Sequence, residues 1–337
     1  MNSSSVATPM LRITDSPSQS ATAPDGELLL EVSRREVRGE VIVLDLREAS
    51  GRALPAWQPG AHIELILGSD LIRQYSLCGG LNDTTWRIAV LRVDGGRGGS
   101  RLVFDKLTPG TIVEARGPRN HFPLVPAQRY VFIAGGIGIT PLVPMIEVAE
   151  DARADWVLCY GGRTREDMLL AGELSERYGG NVRLFPHDEY GWIPLDEVMN
   201  YAGSDGLVYC CGPETMVKAA ELAAAAQGAS PRLRTERFQP QADPRVGETA
   251  EFEVKLAKSG VTVLVSQDQS ILESVAQVGV VVLASCREGV CGTCETFIVD
   301  GIPDHRDSVL TPEARASGES MMVCVSRARS RTLVLDL

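Results

Sequence analysis

The sequence predicts a multidomain chain: an antiparallel β-barrel, then an α/β unit with a parallel sheet, then a small α+β module around a cysteine loop. Three observations predict it. From about Glu27 to Val125, short β-rich runs are separated by Gly, Pro, Asn or Asp, the pattern of an antiparallel barrel. From Arg129 to about Phe238, compact apolar runs alternate with stretches of helical spacing, which implies a parallel sheet covered by helices. Beyond Phe252, a hairpin and a short helix lead to Cys286, Cys291 and Cys294, with Cys324 further on.

Residues 1–25 are rich in Ser, Thr, Pro and Ala and are expected to form a disordered tail. They lack a basic start followed by an apolar block, so they do not read as a signal peptide. The barrel domain is expected over 26–127, with strands at Leu28–Val37, Val41–Arg47, His62–Leu67, Gln74–Leu77, Trp86–Val93 and Thr111–Ala115. A helix is expected at Arg101–Leu107. The α/β domain is expected over 128–239. Its strands are Tyr130–Ala134, Trp156–Tyr160, Val182–Phe185 and Leu207–Cys211, and its helices are Pro141–Ala149, Met168–Arg177 and Pro213–Gln227. Pro240 and Pro244 mark a linker at 240–250. The last domain, 251–337, opens with a hairpin of Phe252–Ala257 and Val261–Val265 turned at Ser259-Gly260. A helix near Ile271–Gln277 and a final strand at Thr332–Leu335 complete it.

Bulk properties narrow the function. A net charge of −11 over 337 residues argues against nucleic-acid binding and allows an acidic docking surface. Eight cysteines scattered through a long chain do not form a secreted disulfide framework, which points to the cytoplasm. The longest uncharged apolar stretch, Tyr130–Ile146, is shorter than the roughly 20 residues a membrane helix needs. Gly135, Gly136, Gly138, Pro141 and Pro144 also break it, so no membrane association is expected.

The cysteines read Cys-x4-Cys-x2-Cys plus one distant Cys, the thiolate spacing of a plant-type [2Fe-2S] ferredoxin. Two irons need four thiolates, and one tight loop supplies three. Gly289 and Gly292 let that loop curl with positive φ and bring backbone N–H groups near the sulfurs. A zinc site is the alternative, though paired Cys-x2-Cys knuckles are its usual form. A second motif, Ala134-Gly-Gly-Ile-Gly-Ile-Thr-Pro141, follows the first parallel strand and opens a helix. Gly135, Gly136 and Gly138 would let backbone approach a pyrophosphate, Thr140 is placed to cap, and Pro141 suits the first helical turn. Cys211-Gly212-Pro213 ends another strand on the same ligand side of the sheet. A third motif, Arg73-Gln-Tyr75-Ser76, offers a guanidinium for phosphate, a ring contact and a hydroxyl. Gly98, Gly99 and Ser100, at the start of the Arg101–Leu107 helix, form a second anion nest.

These segments, with Cys210–Pro213, Glu236-Arg-Phe238, Asp304-His-Arg-Asp307 and Met322–Arg327, resemble the phthalate dioxygenase reductase family, which includes vanillate demethylase reductases. The resemblance covers about residues 27–337. It implies a ferredoxin reductase-like pair of domains followed by a ferredoxin, an order that related reductases with a leading ferredoxin do not share. It also implies FMN, held by Arg73, Tyr75, Ser76, Gly98, Gly99 and Ser100, with Phe238 covering the ring. Ser76, Cys211 and Glu236 are the candidates beside nicotinamide and flavin. The implied activity is a monomeric reductase component passing electrons from NADH through FMN and a 2Fe-2S cluster to a terminal Rieske-type oxygenase. Two alternatives stay open: a stand-alone NADH-dependent reductase of a small acceptor, and a non-enzymatic iron–sulfur carrier.

Charge argues for NADH over NADPH. The loop after the third α/β strand reads Pro186-His-Asp-Glu-Tyr190. Carboxylates at Asp188 and Glu189 would repel a 2′-phosphate and accept ribose hydroxyls. Arg163 and Arg165 are the counterweight.

Overall fold

The computed structural model describes residues 13–14, 27–68, 71–94, 98–239 and 250–337. The linker at 240–249, Gly95–Arg97 and most of the 1–25 tail lie outside the described residues. The chain divides into two compact units, one up to Thr235 and one from Glu236.

The barrel of the first unit contains β1 (Ile13–Thr14), β2 (Glu27–Arg38), β3 (Val41–Glu48), β4 (Ala61–Ile66), β5 (Ile72–Ser76), β6 (Trp86–Leu91) and β7 (Ile112–Asn120). The order is β5-β4-β7-β2-β3-β6, with antiparallel neighbours throughout. An antiparallel bridge between Leu77 and Ile88 links the end of β5 to β6 and closes the path. Ile13 and Thr14 pair with β7, so this part of the expected tail is a strand. The reason is an available edge. β2 takes one side of β7, and β4 takes the other only as far as Glu114, leaving Ile112 and Val113 to pair. Alternate strand residues, among them Leu30, Val32, Ile42, Leu44, Ile63, Leu65 and Trp86, fill the barrel, and helix α1 (Gly99–Lys106) plugs it with Val103.

The parallel sheet belongs to the same unit. Its strands are β8 (Arg129–Gly135), β9 (Asp155–Gly162), β10 (Val182–Pro186), β11 (Leu207–Cys211) and β12 (Leu233–Glu236), in the order β10-β9-β8-β11-β12. Period-two alternation sorts its side chains. Phe132, Leu158, Tyr160 and Tyr209 face one core, with Met145 and Ile146 of α2 (Leu142–Asp151). Val131, Ile133, Val157 and Cys210 face the other. Between β9 and β11 come α3 (Ala171–Tyr178), α4 (His187–Tyr190) and α5 (Leu195–Ala202), and α6 (Glu214–Ala226) follows β11. The first core also takes in Val41, Cys78, Ala89 and Phe122, so barrel and sheet share buried surface. The helix expected from Met168 begins only at Ala171, because Leu170 takes φ of 64° and resets the chain.

In the second unit the sheet order is β14-β13-β19-β15-β17. Its strands are β13 (Phe252–Leu256), β14 (Thr262–Val265), β15 (Glu295–Asp300), β17 (Ser320–Met322) and β19 (Thr332–Leu335). A separate pair joins β16 (Pro303–Asp304) to β18 (Arg327–Ala328). Helix α7 (Ile271–Gln277) starts in a reciprocal capping box, in which Ser270 Oγ accepts from Glu273 N and Glu273 accepts from Ser270 N. Thr311 caps α8 (Pro312–Ser317) by accepting from Ala314 N at 3.2 Å. Val254, Leu256, Ile271, Val275, Met321 and Leu333 form the core. Among the described residues, no helix is long and apolar enough to cross a membrane.

Candidate functional site

The Arg73 motif lies on β5, and strand alternation puts Arg73 and Tyr75 on one face and Ser76 on the other. Arg73 lies along the start of α1: a Cβ added at Gly99 would fall 2.6 Å from Arg73 Nε and 2.7 Å from its Cγ. Any side chain at 99 would push Arg73 aside. Gly98, the N-cap, takes φ of 82° and has nothing within 4 Å of an added Cβ. Ser100 Oγ accepts from Val93 N at 3.1 Å, which leaves its own proton to donate. Tyr75 Oη and Ser76 Oγ are buried and have no hydrogen-bond partner. Burial raises the Tyr75 pKa, and the nearby Arg73 charge opposes that rise. A buried hydroxyl without a partner costs free energy, so that of Tyr75, beside a guanidinium and a glycine-lined helix start, fits a polar, phosphate-bearing group. That chemistry fits a flavin nucleotide.

The glycine turn departs from expectation. Gly136–Ile139 form a 3-10 turn, and α2 begins only at Leu142. Thr140 does not cap the helix; its hydroxyl donates back to Ile137 O at 3.0 Å. The intervening turn puts Thr140 in right-handed helical geometry, whereas a capping residue needs extended backbone. Gly138 serves the fold: an added Cβ would lie 2.2 Å from Cys211 O. Likewise a Cβ at Gly135 would lie 2.6 Å from Pro213 Cδ, and one at Gly212 would lie 2.9 Å from Gly135 Cα. The two turns, Gly135–Pro141 and Cys211–Pro213, therefore meet. Gly136 alone of the three in the first turn has open space beside it. Cys211 is fully buried. Glu236 ends β12, and burial raises its carboxyl to about 8. Phe238 is 41% exposed.

At the corner after β10, Arg165 pairs with Glu189 through hydrogen bonds of 2.9 and 3.3 Å. Arg163 is mostly exposed and lies 3.4 Å from Asp167. The sequence reading missed a neighbouring aromatic corner, where Trp192 packs edge-on against His187 at 4.3 Å.

In the second unit, Cys286, Cys291, Cys294 and Cys324 are all buried. Gly289 and Gly292 take φ of 71° and 72°, as the tight loop requires. Glu288 N donates to Cys286 Sγ at 3.3 Å. The Cys291 and Cys324 thiols, followed by the N–H groups of Glu288 and Val290, hold Cys286 well below the usual thiol range. Val323 N donates to Cys294 O, which ties the Cys324 segment to the loop. Thr293 Oγ1 lies 3.2 Å from Cys291 Sγ, a contact the Cys-Gly-Thr-Cys spacing could have suggested. No three such side chains among the described residues are arranged around a single metal ion. A binuclear cluster instead divides four thiolates between two irons, and this donor set fits it.

Comparison with known proteins agrees. Residues 254–329 match the family described as 2Fe-2S iron-sulfur cluster binding domain, and residues 132–222 match the oxidoreductase NAD-binding domain. The 3-chlorobenzoate-3,4-dioxygenase reductase subunit of Comamonas testosteroni is 36% identical, over 91% of this chain and 96% of that protein. The structure of phthalate dioxygenase reductase matches with a TM-score of 0.66 at 32% identity, over 93% of this chain and 98% of that one. A type IV self-sufficient cytochrome P450 monooxygenase matches with a TM-score of 0.85 at 39% identity over 92% of this chain; the chain spans 41% of that protein. The chain therefore belongs to the phthalate dioxygenase reductase-like family: it is an oxidoreductase, the reductase component of an oxygenase system, carrying electrons from NAD(P)H through a flavin and a 2Fe-2S cluster.

Proposed function

We propose that the chain prefers NADH to NADPH, holds FMN and delivers electrons to a Rieske-type oxygenase as a monomer in the cytoplasm. The observation that carries the flavin site is Arg73 lying along Gly99 beside the unpartnered Tyr75 hydroxyl. When bound, the nicotinamide would supply one hydride, carrying two electrons together, which the flavin would divide for a cluster that accepts one electron at a time.

The chain's own residues bind and orient. Arg73 and the amides of Gly98, Gly99 and Ser100 take a single phosphate, which favours FMN over a dinucleotide. Tyr75 directs its hydroxyl at the flavin, Ser76 offers its own at the end of β5, and Phe238 excludes water from the ring. Gly136, Thr140 and Pro141 flank the nucleotide, while Gly135, Gly138, Gly212 and Pro213 keep the two turns in register for it. Cys211 and Glu236 stand beside the nicotinamide. The hydride step needs no general acid or base from these groups. The Arg165–Glu189 pair supports NADH, because Glu189 already occupies the arginine that could meet a 2′-phosphate. Cys286, Cys291, Cys294 and Cys324 hold the cluster. The corresponding domains are 26–127, 128–239 and 251–337, joined at 240–250.

Acid release of the flavin followed by chromatography tests the reading. FMN is expected, and stoichiometric FAD would overturn it. Steady reduction of a quinone without an oxygenase would instead favour the small-acceptor alternative.

A further inference from the structure

Below β16 and α8, in the second unit, a groove of about 520 Å³ is lined by Ile302, Pro303, His305, Arg315, Ser317 and Arg329, among others. No Asp or Glu lines it. That volume is within the range of small-molecule sites and exceeds what a simple ion needs.

The polar groups at this groove are left incomplete. The His305 side chain is only 9% exposed, yet both of its ring nitrogens lack a hydrogen-bond partner. Asp307 Oδ1, itself without a hydrogen-bond partner, lies 3.8 Å from His305 Nδ1, beyond hydrogen-bonding reach. Arg315 Nε is likewise buried without a partner, although Nη2 of the same guanidinium donates to Asp307 O at 2.5 Å. Arg329 is 71% exposed and lies 3.6 Å from Asp304, whose closer partner is Arg306 at 2.8 Å. Buried donors without acceptors cost free energy, and an oxyanion supplies what the His305 ring N–H and Arg315 Nε lack, with the exposed Arg329 beside them to add charge. Planar guanidinium forks suit carboxylate or phosphate oxygens. Ile302, Pro303 and an alanine at 316 give the groove an apolar wall, and Ile302 is itself 60% exposed.

We propose that this groove binds a small organic anion, its oxyanion head held by His305, Arg315 and Arg329 and its body against Ile302 and Pro303. The site is separate from the cluster cysteines but lies one residue layer behind them. Asp307, which Arg315 holds, packs its Cα 3.0 Å from the position a Cβ would take on Gly289 of the cluster loop.

Isothermal titration calorimetry on the full, cofactor-loaded chain at fixed ionic strength tests the site with sodium benzoate, acetate and phosphate. Saturable binding of benzoate is expected, tighter than acetate. Arg329→Gln and His305→Phe should each weaken it about tenfold, the loss of one charge-assisted hydrogen bond. Flavin and cluster absorbance report folding. Because the Arg329 side chain is largely in solvent, its variant decides the matter if His305→Phe disturbs the cluster. Absence of saturable benzoate binding, or unchanged affinity in the folded variants, would overturn the proposal. Phosphate binding as tightly as benzoate would overturn the assignment to an organic anion.

Discussion

Replacing Tyr75 with Phe separates a binding role from a structural one, because the two predict opposite signs. Tyr75 Oη is buried without a hydrogen-bond partner. Removing an unsatisfied buried hydroxyl relieves a desolvation cost of about 1–3 kcal/mol. The flavin-free Tyr75→Phe protein should therefore be more stable than the parent. For a unit reaching Thr235, each kcal/mol corresponds to ~2–4 °C in melting temperature. With flavin present the sign reverses, because the lost hydroxyl can no longer donate. One hydrogen bond of about 1.4 kcal/mol is tenfold in Kd. The assay is thermal melting of the flavin-free protein, paired with titration of flavin fluorescence. A flavin-free variant that melts lower, together with unchanged flavin affinity, would show that Oη has a protein partner and does not face the flavin.

Gly99→Ala should release flavin more readily than the parent, since it adds an atom 2.6 Å from Arg73 Nε; the flavin-to-protein ratio after gel filtration measures it. Cys291→Ser should abolish or alter the cluster's EPR signal while flavin bleaching by NADH persists in stopped flow. Loss of both in a folded protein would contradict separate modules. Glu189→Gln should free Arg165 and improve NADPH use up to about fivefold, in line with an exposed pair worth up to ~1 kcal/mol; the kcat/KM ratio for the two nucleotides reads it. Glu236 has its carboxyl raised by burial from 4.5 to about 8, so the folded state holds that proton more tightly than the unfolded chain. Its stabilising effect is complete below pH 4.5 and is lost as pH rises through about 8. Glu236→Gln should thus match the parent in acid and outlast it above pH 8 in denaturant melts.

Elements with strong local signals were legible before the structure. Helix α7 and strand β19 fall on the residues expected, the first because Ser270 and Glu273 cap it and the second because Leu333, Val334 and Leu335 are a short apolar, β-prone run. The cysteine loop was equally legible, since the spacing is dictated by two irons. What escaped depends on tertiary context. Helix α5 starts after Pro194 without a side-chain cap. Strand β12 is half-buried and polar, held by its neighbour rather than by its own pattern. Thr140 has the residue type of a cap, and only the backbone of the 3-10 turn shows that it is not one. The glycines of the first α/β turn suggested a ligand, yet Gly135 and Gly138 answer to Pro213 and Cys211, residues some 70 positions away along the chain. Around His305 the sequence showed only that Asp304–Asp307 enters the family resemblance, with nothing to mark a groove.

The position of β19 has a consequence for biogenesis. It lies between β13 and β15, pairing parallel with the first and antiparallel with the second. The interior of this sheet is thus supplied by residues translated after all four thiolates. Until Thr332–Leu335 have left the ribosome, β13 and β15 have no common neighbour, and the segment bearing Cys324 has β15 and the cysteine loop to pair with but no completed sheet behind them. The sheet that backs the cysteine loop is therefore completed only when synthesis of this domain ends, after the flavin site encoded upstream.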